Sequence, residues 1–380
     1  MTGVSGKDQS VISKEALMST KPGKQIMKQA LFKKKGYKLF NYYKEETEKE
    51  FPNFAERFAQ DLYKEIRADS SPNSTQQAFG DEVGSTEIIL KSSEIVPIKL
   101  KLDDIDVVRD RVSRILNSNF VKMTFPVFNA LFDGASEYLG NKNPQLKQDI
   151  VEGHILAIDL SEPMDRIVDK DEDLEYLDDY KLMNPYILKL ARNKISKGGD
   201  VVLNEFEEGF KEARIGQYLD EELKSKPTQI TEEEMTLSYK KYRSVMGTAG
   251  RNMALAERPL GEIFYLGMAR AAEGVGCGNE IEDSIKNGFV KIPSWPLYYS
   301  LLSNDVKKGF DITLEKSNLY LQDARLAIEL LPEGFSHKEF LEFLFLTVEH
   351  YNQFWYNNYK KQTNGQNLNQ NFPSDKIDVV

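Results

Sequence analysis

Apolar residues recur every three or four positions along most of this sequence, which is the spacing of one face of a helix. One such stretch lies near residues 52–67, and the same spacing continues from Asp103 onward. The exception is the pair of stretches 86–90 and 95–102, where apolar and polar residues alternate as they do in paired strands. The pattern therefore predicts a mainly α fold with one small β-hairpin near residues 86–102.

Start signals divide the helical pattern into segments. Helical character begins around Gln25 and runs through Lys33–Lys35, before the second helix near 52–67. Asn143-Pro144 places a proline at the first position of a helix, where its missing N–H group costs little. Thr231–Glu234 and Ser336–Glu339 both have the spacing of a capping box, and the second predicts a long aromatic helix to the end of the lobe.

Composition changes along the chain predict four regions. Residues 1–24 are rich in Ser, Gly, Thr and Lys, which is typical of a disordered arm. Residues 25–223 are predicted to form an N-terminal helical lobe that holds the hairpin. A linker at 224–229 precedes a C-terminal helical lobe over 230–361, and the Asn/Gln-rich residues 362–380 are predicted to be a disordered tail.

Segments that would direct the chain to a membrane are not evident. No run of about 18 apolar residues could cross a bilayer, and the first 30 residues lack the apolar core of a secretory signal. The single cysteine, Cys277, excludes an internal disulfide and fits a reducing compartment. We therefore expect a cytoplasmic protein with no membrane partner.

Charge is distributed very unevenly along the chain. Residues 1–44 hold ten lysines against Asp8 and Glu15, a local charge of +8. Since the whole chain carries −10, residues 45–380 carry −18. A basic arm on an acidic body indicates an interaction segment whose partner is nucleic acid phosphate, an acidic membrane surface or the acidic face of another subunit.

A second basic segment lies inside the acidic body at residues 239–270, with a net charge of +4. Arginine can hold phosphate through two hydrogen bonds, and tyrosine can stack on unpaired bases. The alternative is a pair of packed helices whose basic side pairs with the acidic stretch 161–222. The predicted RNA-binding residues are Lys33, Lys34, Lys35, Tyr239, Lys240, Lys241, Tyr242, Arg243, Arg251, Arg258 and Arg270.

Signals for catalysis are sparse. Gly274-Val-Gly-Cys-Gly278 resembles a phosphate-binding loop, but no Lys-Ser/Thr pair follows it, and glycines after a predicted helix over 263–273 are typical of a C-terminal cap. Cys277 has no histidine near it in sequence. Three histidines show no metal-binding spacing and are expected at the surface or at caps: His154, His337 and His350. We predict no catalytic residue, no metal and no cofactor.

The acidic cluster Asp103-Asp104-Ile-Asp106 suggests one enzymatic alternative. It is similar to the cluster that holds magnesium and diphosphate in helical prenyl-transfer enzymes, where several carboxylates face one cavity. The second metal-binding motif of those enzymes is incomplete here, because Ser303-Asn-Asp305 lacks the Ser and Glu that should follow. An aspartate at this place also suits the start of a helix.

The order of residues over about 235–335 resembles the core of nucleocapsid and coat proteins from filamentous or negative-strand RNA viruses. The matching pieces are Arg243, Gly250-Arg251, Tyr265-Leu266 with Arg270, and a later helix with Asp323 and Arg325. The resemblance implies a structural ion pair between Arg251 or Arg270 and Asp323. It also implies terminal arms that clasp neighbouring subunits along a filament, and a location in the host cytoplasm and the virion.

The leading hypothesis from sequence is thus an RNA-encapsidating coat protein, not an enzyme, that binds single-stranded RNA without sequence specificity and self-assembles through its arms. The first alternative is a helical scaffold or adaptor whose exposed aromatic anchors are Phe340, Tyr351, Phe354 and Trp355. The second is a magnesium-dependent prenyl-type enzyme acting through the aspartate cluster.

Overall fold

The computed structural model describes residues 34–68, 104–116, 119–169, 177–287, 289 and 292–363. The helices are α1 (Lys34–Ala68), α2 (Ile105–Leu116), α3 (Asn119–Leu139), α4 (Pro144–Asp169), α5 (Leu177–Ile195), α6 (Asp200–Leu223), α7 (Glu232–Ser238), α8 (Lys240–Met253), α9 (Leu260–Asn287), α10 (Trp295–Ser303), α11 (Val306–Glu329) and α12 (Lys338–Thr363). A single 3₁₀ turn, Ser196–Gly198, joins α5 to α6.

The mainly α fold is confirmed, and the described residues contain no strand. The predicted hairpin at 86–102 and the predicted arm at 1–24 lie outside those residues, so the hairpin has no support. The same holds for the predicted tail beyond Thr363. Within the described ranges no helix is both long enough and apolar enough to span a bilayer.

Helix α1 is one continuous helix where the sequence pattern predicted two. Proline at position 52 lies inside it and removes one backbone hydrogen bond. Buried side chains on both sides of this proline, such as Phe40 and Phe54, belong to the same core and hold the helix together across it. Near its start, Gly36 approaches α12 so closely that a Cβ would lie 2.1 Å from the backbone oxygen of Glu339.

Helix α9 also continues where a stop was predicted. Its interior contains Gly274, Gly276 and Gly278, which do not end it. Each glycine costs about 1 kcal/mol relative to alanine in a helix. Here they allow close packing instead, since a Cβ at Gly278 would lie 1.9 Å from Oδ1 of the buried Asn352 on α12. Tertiary packing therefore overrides the local preference of glycine for a helix end.

Two predicted helix starts are confirmed. Asn143 Oδ1 accepts a hydrogen bond from the Leu146 N–H at the start of α4, and Thr231 forms a complete capping box with Glu234 at α7. The third predicted helix start, the capping box Ser336–Glu339, was wrong in detail. Helix α12 begins at Lys338, and the Ser336 hydroxyl donates to Glu137 on α3 at 2.6 Å.

The main core crosses the predicted linker. Phe128 of α3 and Phe264 of α9 belong to one buried cluster, although they lie on opposite sides of residues 224–229. Smaller clusters form around Trp295 and around Trp355. Phe340 and Trp355, two of the proposed exposed anchors of an adaptor, are fully buried, so these anchors are part of the core.

Candidate functional site

A polar pocket of about 370 Å³ opens where α1, α3, the start of α4 and the turn before α12 meet. Its lining combines two acids, two lysines and a histidine, which is unusual among the otherwise apolar packing of these helices. The lining residues are Tyr43, Phe132, Asp133, Ser136, Glu137, Lys142, Asn143, Pro144, Lys147 and His337. We call it the polar pocket.

Local structure brings these side chains together from distant parts of the sequence. Asp133 and Glu137 are four residues apart and therefore lie on the same face of α3. Lys147 lies in the first turn of α4, where its ammonium pairs with Asp133 at 2.6 Å. His337 is held at the start of α12, with its ring beside that of Phe335 and over Gly134, where a Cβ would lie 2.9 Å from the imidazole.

A chain of four short contacts runs through the buried imidazole of His337. The Tyr43 hydroxyl lies 2.9 Å from His337 Nε2 and donates to Asp133 Oδ2 at 3.1 Å. On the other side, the Ser336 hydroxyl lies 2.7 Å from His337 Nδ1 and donates to Glu137 Oε2 at 2.6 Å. The order is carboxylate, hydroxyl, imidazole, hydroxyl, carboxylate.

The number of protons in this chain depends on the imidazole. An ionised carboxylate can only accept, so each hydroxyl spends its single proton on its own carboxylate. Both ring nitrogens of His337 must then donate to make all four hydrogen bonds. A neutral imidazole carries one N–H and therefore satisfies three of the four contacts, whereas an imidazolium satisfies all four.

Burial and charge act in opposite directions on this histidine. Desolvation lowers the pKa of His337, while Asp133 and Glu137 oppose that effect and Lys35 and Lys147 add to it. The net direction is downward, so the imidazole is neutral at neutral pH. Burial, reinforced by Asp133, raises the pKa of the Tyr43 hydroxyl, which therefore keeps its proton.

The basic residues predicted to bind RNA lie mostly against acidic side chains of the same chain. Lys35 and Arg258 are exposed, while Lys33 and the side chain of Lys34 lie outside the described residues. The observed pairs are Lys240 with Glu212, Lys241 with Asp220 (2.6 Å), Arg243 with Glu273 (3.9 Å), Arg251 with Glu205 and Glu262, Arg258 with Glu262 (3.4 Å), and Arg270 with Glu273 (2.7 Å) and Asp323 (3.6 Å).

These contacts correspond to the packed-helix alternative for residues 239–270. Three of the acidic partners, Glu205, Glu212 and Asp220, lie on α6 within the acidic stretch. The predicted stacking platform is also enclosed, because Tyr239 is buried and its hydroxyl points at Cys277 Sγ, 3.6 Å away. Burial raises the pKa of the Cys277 thiol, which is the opposite of what a nucleophile needs.

The two described aspartates of the cluster, Asp104 and Asp106, are used at the start of their own helix. Asp103 lies outside the described residues, Asp104 Oδ1 accepts from the backbone N–H of Asp106, and Asp106 pairs with Arg109 at 2.7 Å. The Asp106 side chain is 78% exposed. Across the part of the chain that the structure describes, no three His, Cys, Asp or Glu side chains form a group able to hold a metal ion.

Sequence reasoning missed the polar pocket because its members are far apart along the chain. Tyr43 and His337 are separated by 294 positions. The expectation that every histidine is a surface or capping residue was wrong for His154, which is buried in the core, whereas His337 does lie at the start of a helix but is buried as well. The one local signal was Ser336-His337 beside a helix start, which we attributed to capping.

Comparisons with known proteins assign this chain to no family. No protein-family model matches the chain, and no curated protein matches it either. Among solved structures, a geranylgeranyl pyrophosphate synthetase from the archaeon Geoglobus acetivorans is similar, at 14% identity and a TM-score of 0.47. The match covers 64% of this chain and 95% of that one.

A likeness at this TM-score transfers neither the substrate nor the chemistry of that synthetase to this chain. The expectation from sequence that the protein is not an enzyme finds no support in these comparisons, where the similar solved structure is that of an enzyme. Neither the family models nor the curated proteins support a nucleocapsid or coat protein.

Proposed function

We propose that the polar pocket is the active site of an enzyme that transfers protons to and from a small polar ligand. The observation that carries this proposal is the chain through His337, in which each ring nitrogen contacts a hydroxyl that is itself bound to a carboxylate. General acid–base catalysis uses groups of this kind, placed within hydrogen-bonding reach of one another.

The proposed proton transfer uses the ring nitrogen of neutral His337 that carries no proton. A ligand X–H gives its proton to the hydroxyl oxygen of Tyr43 or Ser336. That hydroxyl turns its own proton from the carboxylate to the free ring nitrogen and releases it there, and the proton from the ligand takes over the hydrogen bond to the carboxylate. The X–H bond breaks, an N–H bond forms, and the product is the imidazolium. Asp133 and Glu137 stabilise that positive charge, and return of the proton through a hydroxyl restores the neutral ring.

The positions of the other groups support binding of a small molecule. Lys147 balances the charge of Asp133 and lies 5.7 Å from the centre of the Tyr43 ring. Ser136 is buried and Asn143 is exposed, so the pocket has both an enclosed wall and an open rim. The pocket volume lies within the range of small-molecule sites.

Activity profiling tests the proposal against many candidate substrates at once. The purified protein is incubated with a cell extract of small metabolites, and mass spectrometry follows which compounds disappear or form. We expect conversion of at least one polar compound, with a rate at least 100-fold lower for His337→Asn, the scale of a lost acid–base group. Tyr43→Phe should also lower the rate and displace its pH profile.

Matched controls separate the site from general effects. Tyr42 is adjacent in sequence but 56% exposed, so Tyr42→Phe should keep full activity. His350→Asn removes a histidine outside the pocket and should behave in the same way. Conversion that persists in His337→Asn, or an extract that the wild-type protein leaves unchanged, would contradict the proposal.

The RNA-coating function predicted from sequence stays a prediction. Its arm lies outside the described residues, and most of the basic side chains at 239–270 pair with acids of the same chain. No contact among the described residues favours it over the acid–base site.

A further inference from the structure

The charges that line the polar pocket are balanced when His337 is neutral, because Lys142 and Lys147 stand against Asp133 and Glu137. Lys35 lies outside the lining but acts on both His337 and Glu137, so it adds one positive charge to this set. Of the charged groups that line the pocket, Lys142 and Glu137 make no ion pair with any described residue, and Lys142 lowers the pKa of Glu137 through its charge alone.

Each carboxylate already has a partner in the same chain, which leaves Lys142 and the added charge of Lys35 available to a ligand. Asp133 is paired with Lys147 and accepts from Tyr43. Glu137 accepts from Ser336, whose hydrogen bond is the main cause that lowers the pKa of Glu137 and keeps it ionised. Lys142 lies at the rim directly before α4, whose N-terminal end adds a partial positive charge.

Taking these contacts together, we infer that the polar pocket binds a small oxyanion, a carboxylate or a phosphate, and that His337 takes up one proton when the anion binds. This inference rests on the proposed functional site. The added negative charge favours the imidazolium over the neutral ring. The added proton also completes the fourth hydrogen bond of the chain, because Nδ1 then donates to Ser336 while Nε2 donates to Tyr43.

The groups that face His337 come from every element around it. Tyr43 and Lys35 belong to α1, Asp133 and Glu137 to α3, Lys147 to α4, and Ser336 to the turn before α12. Burial keeps the proton on the Tyr43 hydroxyl, and the hydrogen bond from Ser336 keeps Glu137 ionised. The imidazole is therefore the group in this set that exchanges the proton.

Titration calorimetry measures this proton directly. Sulfate stands for a phosphate group and succinate for a carboxylate, because neither changes its own protonation between pH 7 and 8. Each is titrated into the full-length protein in two buffers with different ionisation enthalpies. We expect one of the two anions to bind with about one proton taken up, and its affinity to rise about tenfold from pH 8 to pH 7.

Variants separate the contribution of charge to anion binding from the proton uptake by His337. Lys142→Gln should weaken binding several-fold, whereas Lys38→Gln, an exposed lysine on α1 outside the pocket, should not. His337→Asn should still bind the anion but without proton uptake and without the tenfold pH dependence. Tyr43→Phe offers an independent test should the asparagine variant not fold, since losing one hydroxyl partner should reduce the proton uptake.

Several outcomes overturn the inference. Neither anion binding at 50 mM excludes the oxyanion class, and binding with no net proton excludes the role of His337. Chloride at the same ionic strength must not compete equally with the anion that binds. Anion binding with proton uptake but no conversion in the activity profile supports this inference and contradicts the catalytic proposal. Conversion of an uncharged compound by a protein that binds neither anion supports the catalytic proposal and contradicts this inference.

Discussion

At the scale of single residues, two buried histidines show how surroundings decide chemistry. His154 packs its ring against Phe128 and Phe206, and its Nε2 accepts from the Asn252 amide at 3.1 Å. That amide also donates to the Val202 carbonyl, so both of its N–H groups are used. Burial lowers the pKa of His154 to about 3. Unlike those of His337, its described contacts are with Asn252, Phe128 and Phe206, and it is part of the core packing.

This difference makes a prediction about acid stability. A histidine whose folded-state pKa is lowered binds fewer protons than the same residue in the unfolded chain, so its contribution is lost as the pH falls below about 6.5. Between pH 7 and pH 5, His154 should cost the fold about 2 kcal/mol. Between these two pH values, the free energy of unfolding of His154→Gln should fall by about 2 kcal/mol less than that of the wild type, as measured by urea unfolding.

His350 provides the control for this measurement, because it is half-buried on α12 and lies outside the core. His350→Gln is measured in the same way, to show what removing a histidine outside the core does by itself. Equal slopes for wild type and His154→Gln would show that His154 is already accessible to protons in the folded state.

At the scale of elements, close approach between helices explains where the sequence pattern predicted correctly and where it did not. Apolar spacing identified the stretches that are helical, and caps such as Asn143 and Thr231 fixed individual starts. The continuous α9 could not be predicted, because the reason for Gly278 is Asn352 on another helix. The polar pocket escaped for the same reason, since its chain joins α1 to residues almost 300 positions away.

Two glycines of α9 give a matched test of this explanation. Alanine at position 278 would place its Cβ 1.9 Å from Asn352 Oδ1, whereas at position 267 the nearest atom is Ile328 Cγ2 at 3.4 Å, an ordinary contact. Gly278→Ala should lower the free energy of unfolding by about 1–3 kcal/mol. Gly267→Ala should raise it by up to about 1 kcal/mol, because alanine is the better helix former.

Thermal and urea unfolding of both variants measure the difference. If Gly278→Ala were as stable as Gly267→Ala, the close packing of α9 on α12 would not be the reason for that glycine.

At the scale of the whole molecule, the basic segment 239–270 and the acidic helix α6 neutralise each other. Arg251 shows this most clearly, because its guanidinium lies between Glu205 and Glu262 and 4.3 Å from the centre of the Tyr265 ring. The basic segment and the acidic stretch indicated by the sequence thus both take part in ion pairs. Which charges would meet each other depended on how α6, α8 and α9 pack, and no local pattern reports that.

An arginine used in this way should matter for stability and not for nucleic acid. Its side chain is only 17% exposed, so Arg251→Met should cost about 2 kcal/mol of unfolding free energy, because Glu205 loses its partner and Glu262 keeps only Arg258. Arg258→Met, at an 80% exposed position, should cost less than about 0.5 kcal/mol. Arg251→Met should leave the salt concentration that elutes the protein from heparin unchanged. Earlier elution with unchanged stability would favour a nucleic-acid groove instead.

The protonation state of His337 tests the central claim most directly, because the proposed chemistry depends on a ring that is one proton short. With ¹⁵N-labelled histidine, the two ring nitrogens of each histidine give separate signals, and His→Gln variants assign them. At pH 7 we predict one protonated and one unprotonated nitrogen in the free protein, and two protonated nitrogens once the anion is bound. Two protonated nitrogens already in the free protein, or a ring unchanged by a saturating anion, would contradict the claim.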